Sequence, residues 1–244
     1  AASFGASGGP PTVQLGDASM AAAFTARSTH VGPVAAVLRL GRATLVTTVQ
    51  MFKILGVNCL TSAYAMSVMA IDGVKIGDTQ ATLSGMLAAA LFLFLSMARP
   101  LRTLSRRRPH ASPFSAYALV SVGAQAAVHL AFMVTAVARA KAHVLAETGA
   151  TLAVDYEADF EPNVVNTVAF TSSALINLCT FGVNYVGLPF NEPLSSNKPL
   201  YYTLIGGFVL FSLAAADVVR PLSEAMELAP LPGAFGFEMV RGAR

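Results

Sequence analysis

The side chains here that could do chemistry in an apolar setting are amides, hydroxyls and an imidazole. Asn58, Thr61 and Ser62 cluster in an otherwise apolar run with Tyr64 close behind, and further amides stand at Gln125, Asn166, Asn177 and Asn184, with His129 among them. In hydrocarbon such groups bond across helices for about 0.6 kcal/mol each on average, or they line a polar path, since intramembrane polar groups face protein or a water-filled cavity. Bundle cohesion is the general reading, and a cavity lining is the sharper one for Asn58 and Tyr64. Asp72 and Asp78 bracket a short loop containing Gly73 and Gly77. That loop reads either as a tight reversal or as an acidic rim for a positively charged substrate. His129 reads as a bonded bundle residue and not as a proton relay, because no carboxylate shares its span. Cys59 and Cys179 lie in apolar stretches and read as buried free thiols. No nucleophile with its base, phosphate-cradling glycine loop or metal-ligand cluster occurs, so no residue is assigned a catalytic or metal-binding role.

The elements that must position these groups follow from composition. Of 244 residues, 55% are hydrophobic and 12% charged, with a mean hydropathy of +0.60. A soluble domain carries about 25% charge, so the chain faces another solvent. Its net charge of +3 is too small to indicate nucleic acid. Five apolar stretches, about 54–71, 79–97, 114–138, 164–188 and 200–216, are long enough to cross a bilayer and hold no Asp, Glu, Lys or Arg in their interiors. The predicted fold is all-α, a polytopic bundle of about five transmembrane helices in contact with the lipid bilayer. The first span extends backward through Arg39 and Arg42 as a stalk, and Lys53 snorkels where the fully apolar run begins.

Alternation of the loops divides the charges unequally. Ten of the sixteen basic residues fall on the side of the N-terminal segment, among them Arg99, Arg102, Arg106, Arg107 and Arg108 in one loop. Of the thirteen acids, only Asp17 and Glu192 share that side, while Asp155, Glu157, Asp159 and Glu161 are among those opposite. The positive-inside rule then predicts a cytosolic N-terminus.

Several stretches carry a resemblance: 11–19 (PTVQLGDAS), 41–55 (GRATLVTTVQMFKIL), 72–85 (DGVKIGDTQATLSG), 99–106 (RPLRTLSR), 160–163 (FEPN) and 197–200 (NKPL). In order, they resemble the C-terminal region of the eukaryotic type V subgroup A P-type ATPases, the transmembrane-helix dislocases of the endoplasmic reticulum. The likeness runs from about Pro11 to Ala216. It implies that 1–33 is the tail of a cytosolic phosphorylation domain, with Gly16 and Asp17 as its remnant. It further implies that 34–71 is the stalk and fifth membrane helix, that 72–216 holds four further helices, and that 217–244 is a non-cytosolic tail stopping before a last helix.

Family members hydrolyse ATP with Mg2+ through an aspartyl-phosphate and extract misinserted transmembrane segments of client proteins. The D-K-T-G motif does not occur in this sequence, and the chain starts at Ala1 on a Gly/Ser/Pro-rich stretch. It is therefore expected to be part of a longer protein whose N-terminal portion is its partner, with ATP and Mg2+ bound there. The competing expectation is a standalone polytopic scaffold or channel without ATP chemistry. Glycosylation mapping is expected to leave acceptor sites placed beside Arg106–Arg108 unmodified and to modify sites placed near Asp159; the reverse pattern would overturn the orientation.

Overall fold

A computed structural model describes residues 30–110, 112–149 and 159–231. Gly16, Asp17, Asp155 and Glu157 lie outside the described residues. The element order is α1 (Gly32–Ile71), α2 (Asp78–Ser96), α3 (Ala116–Thr148), α4 (Val164–Asn184), a 3-10 turn (Leu194–Ser196), α5 (Lys198–Ala215) and α6 (Arg220–Ala225). Five of these helices, α1 to α5, are long and apolar enough to cross a membrane. Among the described residues, the extended pairing is an isolated bridge between Pro100 and Asn191. The chain is an all-α polytopic bundle.

Its surface is inverted relative to a protein folded in water. Along α1 the buried residues Ala43, Val46, Gln50, Ile54, Val57, Thr61, Ala65 and Met69 recur every three or four positions, one helical face. Phe52, Leu55, Leu60 and Met66 are exposed on its other faces. Small and polar groups thus share the inward face with a few branched and long apolar ones, while bulky apolar groups also cover the outward faces, the arrangement expected when lipid is the solvent and close packing drives association.

α4 occupies the centre. It packs on α1, α3 and α5 and more lightly on α2, and 78% of its most apolar window is buried, against 17–28% in the other four spans. Asn163 starts it, its side-chain oxygen accepting from the Asn166 backbone N–H at 2.8 Å, as an N-cap does. Asn197 caps α5 through the Leu200 N–H and also donates to the carbonyl of Phe94 at the end of α2 (2.8 Å).

Element ends differ from the hydropathy boundaries in two places. α3 continues ten residues beyond Ala138, through Arg139, Lys141, His143 and Glu147. Hydropathy marks where the solvent changes, not where the backbone stops spiralling: this Ala-rich segment has high helix propensity, His143 and Glu147 approach to 3.2 Å across one turn, and Gly149 closes the helix at φ 66°. α4 stops at Asn184, four residues before the apolar run ends. There the Val186 backbone turns away to pair with Gln50, whose Oε1 accepts from the Val186 N–H at 2.9 Å and whose Nε2 donates to its carbonyl at 3.5 Å.

α1 ends in a glycine-dependent reversal. Gly73 takes φ 66°, and the Val74 N–H reaches the Met69 carbonyl at 2.8 Å, with both side chains in one buried cluster. This is a Schellman closure with its hydrophobic contact. At Gly77, a Cβ would come within 2.6 Å of the Glu227 carboxylate and 2.8 Å of the Phe160 ring, so a larger residue there would require both side chains to shift.

Residues 226–231 return over the far ends of α2 and α4. Gln80, fully buried, donates to Asn166 Oδ1 at 2.9 Å and to the Glu227 carbonyl at 3.1 Å. Asn166 donates to the Lys75 carbonyl at 2.8 Å, and Thr167 Oγ1 accepts from the Ala229 N–H at 2.8 Å. Replacing Asn166 with Leu is expected to destabilise the bundle by about 1–3 kcal/mol, because it strands buried partners of the amide; detergent-titrated unfolding in bicelles checks this.

Candidate functional site: a polar cleft between α1, α2 and α4

α1 and α2 are joined by a short loop yet touch little; α1 packs closely on α4, while α2 rests lightly on α4 and α5. Between them is a cleft of about 100 Å³ lined by Asn58, Thr61, Ser62, Ser84, Ser173 and Asn177, with Leu87, Ala174 and Ile176. Asn58 Nδ2 donates to Asn177 Oδ1 at 3.0 Å, linking α1 to α4. Thr61 is buried, and its hydroxyl bonds back to the Val57 carbonyl (3.0 Å). Ser62 and Ser84 are exposed. The cleft therefore opens sideways from the bundle, within the apolar runs of α1 and α2, and offers unionised donors and acceptors where lipid would otherwise lie.

Two of the remaining amides on α3 and α4 close on each other. Gln125 and Asn184 exchange two amide bonds, 2.6 Å from Asn184 Nδ2 to Gln125 Oε1 and 3.3 Å in return. His129 lies 3.5 Å from the Thr180 hydroxyl. These tie α3 to α4 as Gln80 and Asn166 tie α2 to it.

The sequence candidates separate. Asn58 lies in the cleft. Tyr64 stands on a different face of α1, partly buried against the cluster of Met133, Val137, Val165 and Val168, so α1 does not bring the two together. Asp72 is engaged by Lys141 of α3 at 2.7 Å. Asp78 is exposed in the first turn of α2, where a negative charge suits the helix dipole. Cys59, expected to be buried, is exposed, while Cys179 is half-buried: α1 turns Cys59 outward beside the inward Asn58. Ser84 and Ser173 were not singled out from sequence. The signal available was Ser173 one turn before Asn177, a spacing that places both on one face. Among the described residues, no group of three or more His, Cys, Asp or Glu could hold a metal ion.

No family model matches the chain. Curated relatives do. The Arabidopsis thaliana protein named "Probable manganese-transporting ATPase PDR2" is 52% identical over 222 residues, 91% of this chain and 18% of the relative. The endoplasmic reticulum transmembrane helix translocase of Saccharomyces cerevisiae is 40% identical over 229 residues, 94% of this chain and 18% of the relative. Its Schizosaccharomyces pombe namesake is 45% identical over 196 residues, 80% of this chain and 16% of the relative. The chain spans under a fifth of the length of these relatives.

A double-mutant cycle of Asn58→Leu and Asn177→Leu, read as unfolding stability in bicelles, is expected to give a coupling of about 0.6 kcal/mol, and no more than about 1.7. Strict additivity would show that the two amides are not bonded.

Proposed function

We propose, on the premise that this chain is homologous over 80–94% of its length to one segment of the type V subgroup A P-type ATPases, that it forms the membrane-transport segment of such a pump and helps extract misinserted transmembrane helices from the endoplasmic reticulum membrane. The observation that carries this reading is the sideways-opening cleft. A transported helix has to enter from lipid, and its polar positions need hydrogen-bonding partners at a depth where water is scarce. Asn58, Ser62, Ser84, Ser173 and Asn177 supply amides and hydroxyls there.

α1 supplies the coupling. Its 40 residues extend about 60 Å at 1.5 Å per residue, twice a hydrocarbon core of about 30 Å, so roughly half of it projects as a stalk. In this proposal the N-terminal side is cytosolic, residues 34–71 are stalk plus span, and residues before them continue a phosphorylation domain. Tilting α1 against α4 would part Asn58 from Asn177 and free both amides for a client. Asp78 is the exposed acid of the proposed rim, Asp72 being held by Lys141; it would favour clients with basic ends beyond the membrane. ATP and Mg2+ chemistry is assigned in this proposal to the remainder of the pump.

The test is client-stimulated ATP hydrolysis by the full-length protein in proteoliposomes. Ser62→Leu with Ser84→Leu replaces the polar lips of the cleft by apolar ones and is expected to lower stimulation several-fold, as does loss of substrate-positioning contacts generally. Full stimulation by the same client peptide in this variant would remove the cleft from the transport path.

A further inference from the structure

The loop 98–115 presents a cationic site separate from the cleft. Arg39 donates to the Arg102 carbonyl at 2.9 Å, and Arg42 donates to the carbonyls of Ser105 and Arg107. The stalk thus grips the loop by its backbone and leaves the loop's own guanidinium groups out of those bonds. Under them is a cavity of about 320 Å³ between α1, the start of α3 and the loop after α4, whose polar lining includes Gln50, Lys53, Arg107, Arg108, His110 and Tyr117.

Lys53 is the informative member. The residue as a whole is 9% exposed, and its ammonium lies 5.3 Å from the centroid of the Tyr117 ring, on which His110 stacks at 5.0 Å. No carboxylate among the described residues pairs with Lys53, Arg107 or Arg108. A partly desolvated ammonium with no counter-charge among the described residues is costly, and two guanidinium forks over the same cavity add to the field. The arrangement calls for an anion from outside the described residues.

We infer that this cavity binds the headgroup of an anionic phospholipid bearing a phosphate monoester, with Arg107 and Arg108 as forked donors and Lys53 as the point charge beneath. Lipid is the source because of depth. Lys53 stands where the apolar run of α1 begins, and its neighbours Phe52 and Leu55, like Phe114 and Val120 around Tyr117, are exposed apolar side chains suited to acyl chains. The inference needs only that the bundle sits in a bilayer and is independent of the transport reading.

Native mass spectrometry of the protein in mixed micelles tests it, using phosphatidic acid and phosphatidylcholine of equal chain length. Phosphatidic acid is expected to be retained on the order of tenfold over phosphatidylcholine. Arg107→Gln with Arg108→Gln, in an exposed loop, is expected to reduce that retention on the order of tenfold, as removal of two basic groups from an anionic surface should, and Lys53→Met to reduce it as well. Arg220→Gln, remote from the site, should leave it unchanged. Equal retention of the two lipids, or undiminished selectivity in the loop variant, overturns the inference. So does complete displacement of the lipid by millimolar inorganic phosphate, which would identify a free phosphate as the ligand.

Discussion

The structure depends on polar pairing along α4. In hydrocarbon there is no water to satisfy an amide and no hydrophobic effect to press helices together, so close packing and interhelical hydrogen bonds provide specificity. α4 carries a polar group toward each of three neighbours: Asn166 to Gln80 of α2, Asn177 to Asn58 of α1, Asn184 to Gln125 of α3. Thr180 adds a contact to His129 of α3. Each bond is weak, but together they fix the rotation and depth of three helices against one, because an amide displaced by one turn loses its partner.

The two ends of the bundle are closed differently. At the acid-rich end, the returning residues 226–231 bond Gln80 through the Met226 and Glu227 carbonyls and Thr167 through the Ala229 N–H, while Asn166 holds the Lys75 carbonyl, which together fix the spacing of α2 and α4. At the arginine-rich end, the stalk half of α1 is the organising element: Gln50 holds Val186, Asn191 reaches Thr47 at 3.4 Å, and Arg39 and Arg42 hold the loop 98–115. Burial raises the Tyr185 phenol above its ordinary value, with the Glu192 charge adding to the effect, and its hydroxyl donates to the Glu192 carbonyl at 2.9 Å. A movement of α1 would thus be felt first in two loops and then at Asn58, whereas the opposite end has its own fastening.

What could be read in advance follows from the kind of signal each feature leaves. Five spans were legible because a charge in mid-bilayer is expensive and none of the runs contains one. The extent of α3 was not, since helical hydrogen bonding continues past the point where side chains become charged. The central place of α4 was also hidden from hydropathy: it is less apolar than α1 and α3, yet it is the most buried of the five spans. The better marker is its density of Asn, Thr and Ser, which lipid-facing helices can ill tolerate. Asn58 was visible as an amide among hydroxyls. Tyr64 looked similar in sequence but lies six residues away, which rotates it about 240° around a helix of 3.6 residues per turn, toward α3 and α4.

The same geometry separates cohesion from function among chemically identical groups. Asn184 and Asn177 are both amides on α4, and each is bonded to an amide on another helix. Around Asn184 the two partners exchange both available bonds and Asn184 is 2% exposed, so little remains for another molecule. Around Asn177 a single 3.0 Å bond is made, which leaves acceptor and donor capacity on both side chains, and α2 stands away from α1 and leaves the flank open. Residue type alone cannot make that distinction. It arises because a short loop joins α1 and α2 while α4, α5 and the returning tail hold α2 at a distance, so the looseness that leaves the flank of Asn58 open is a product of how tightly the other helices are tied.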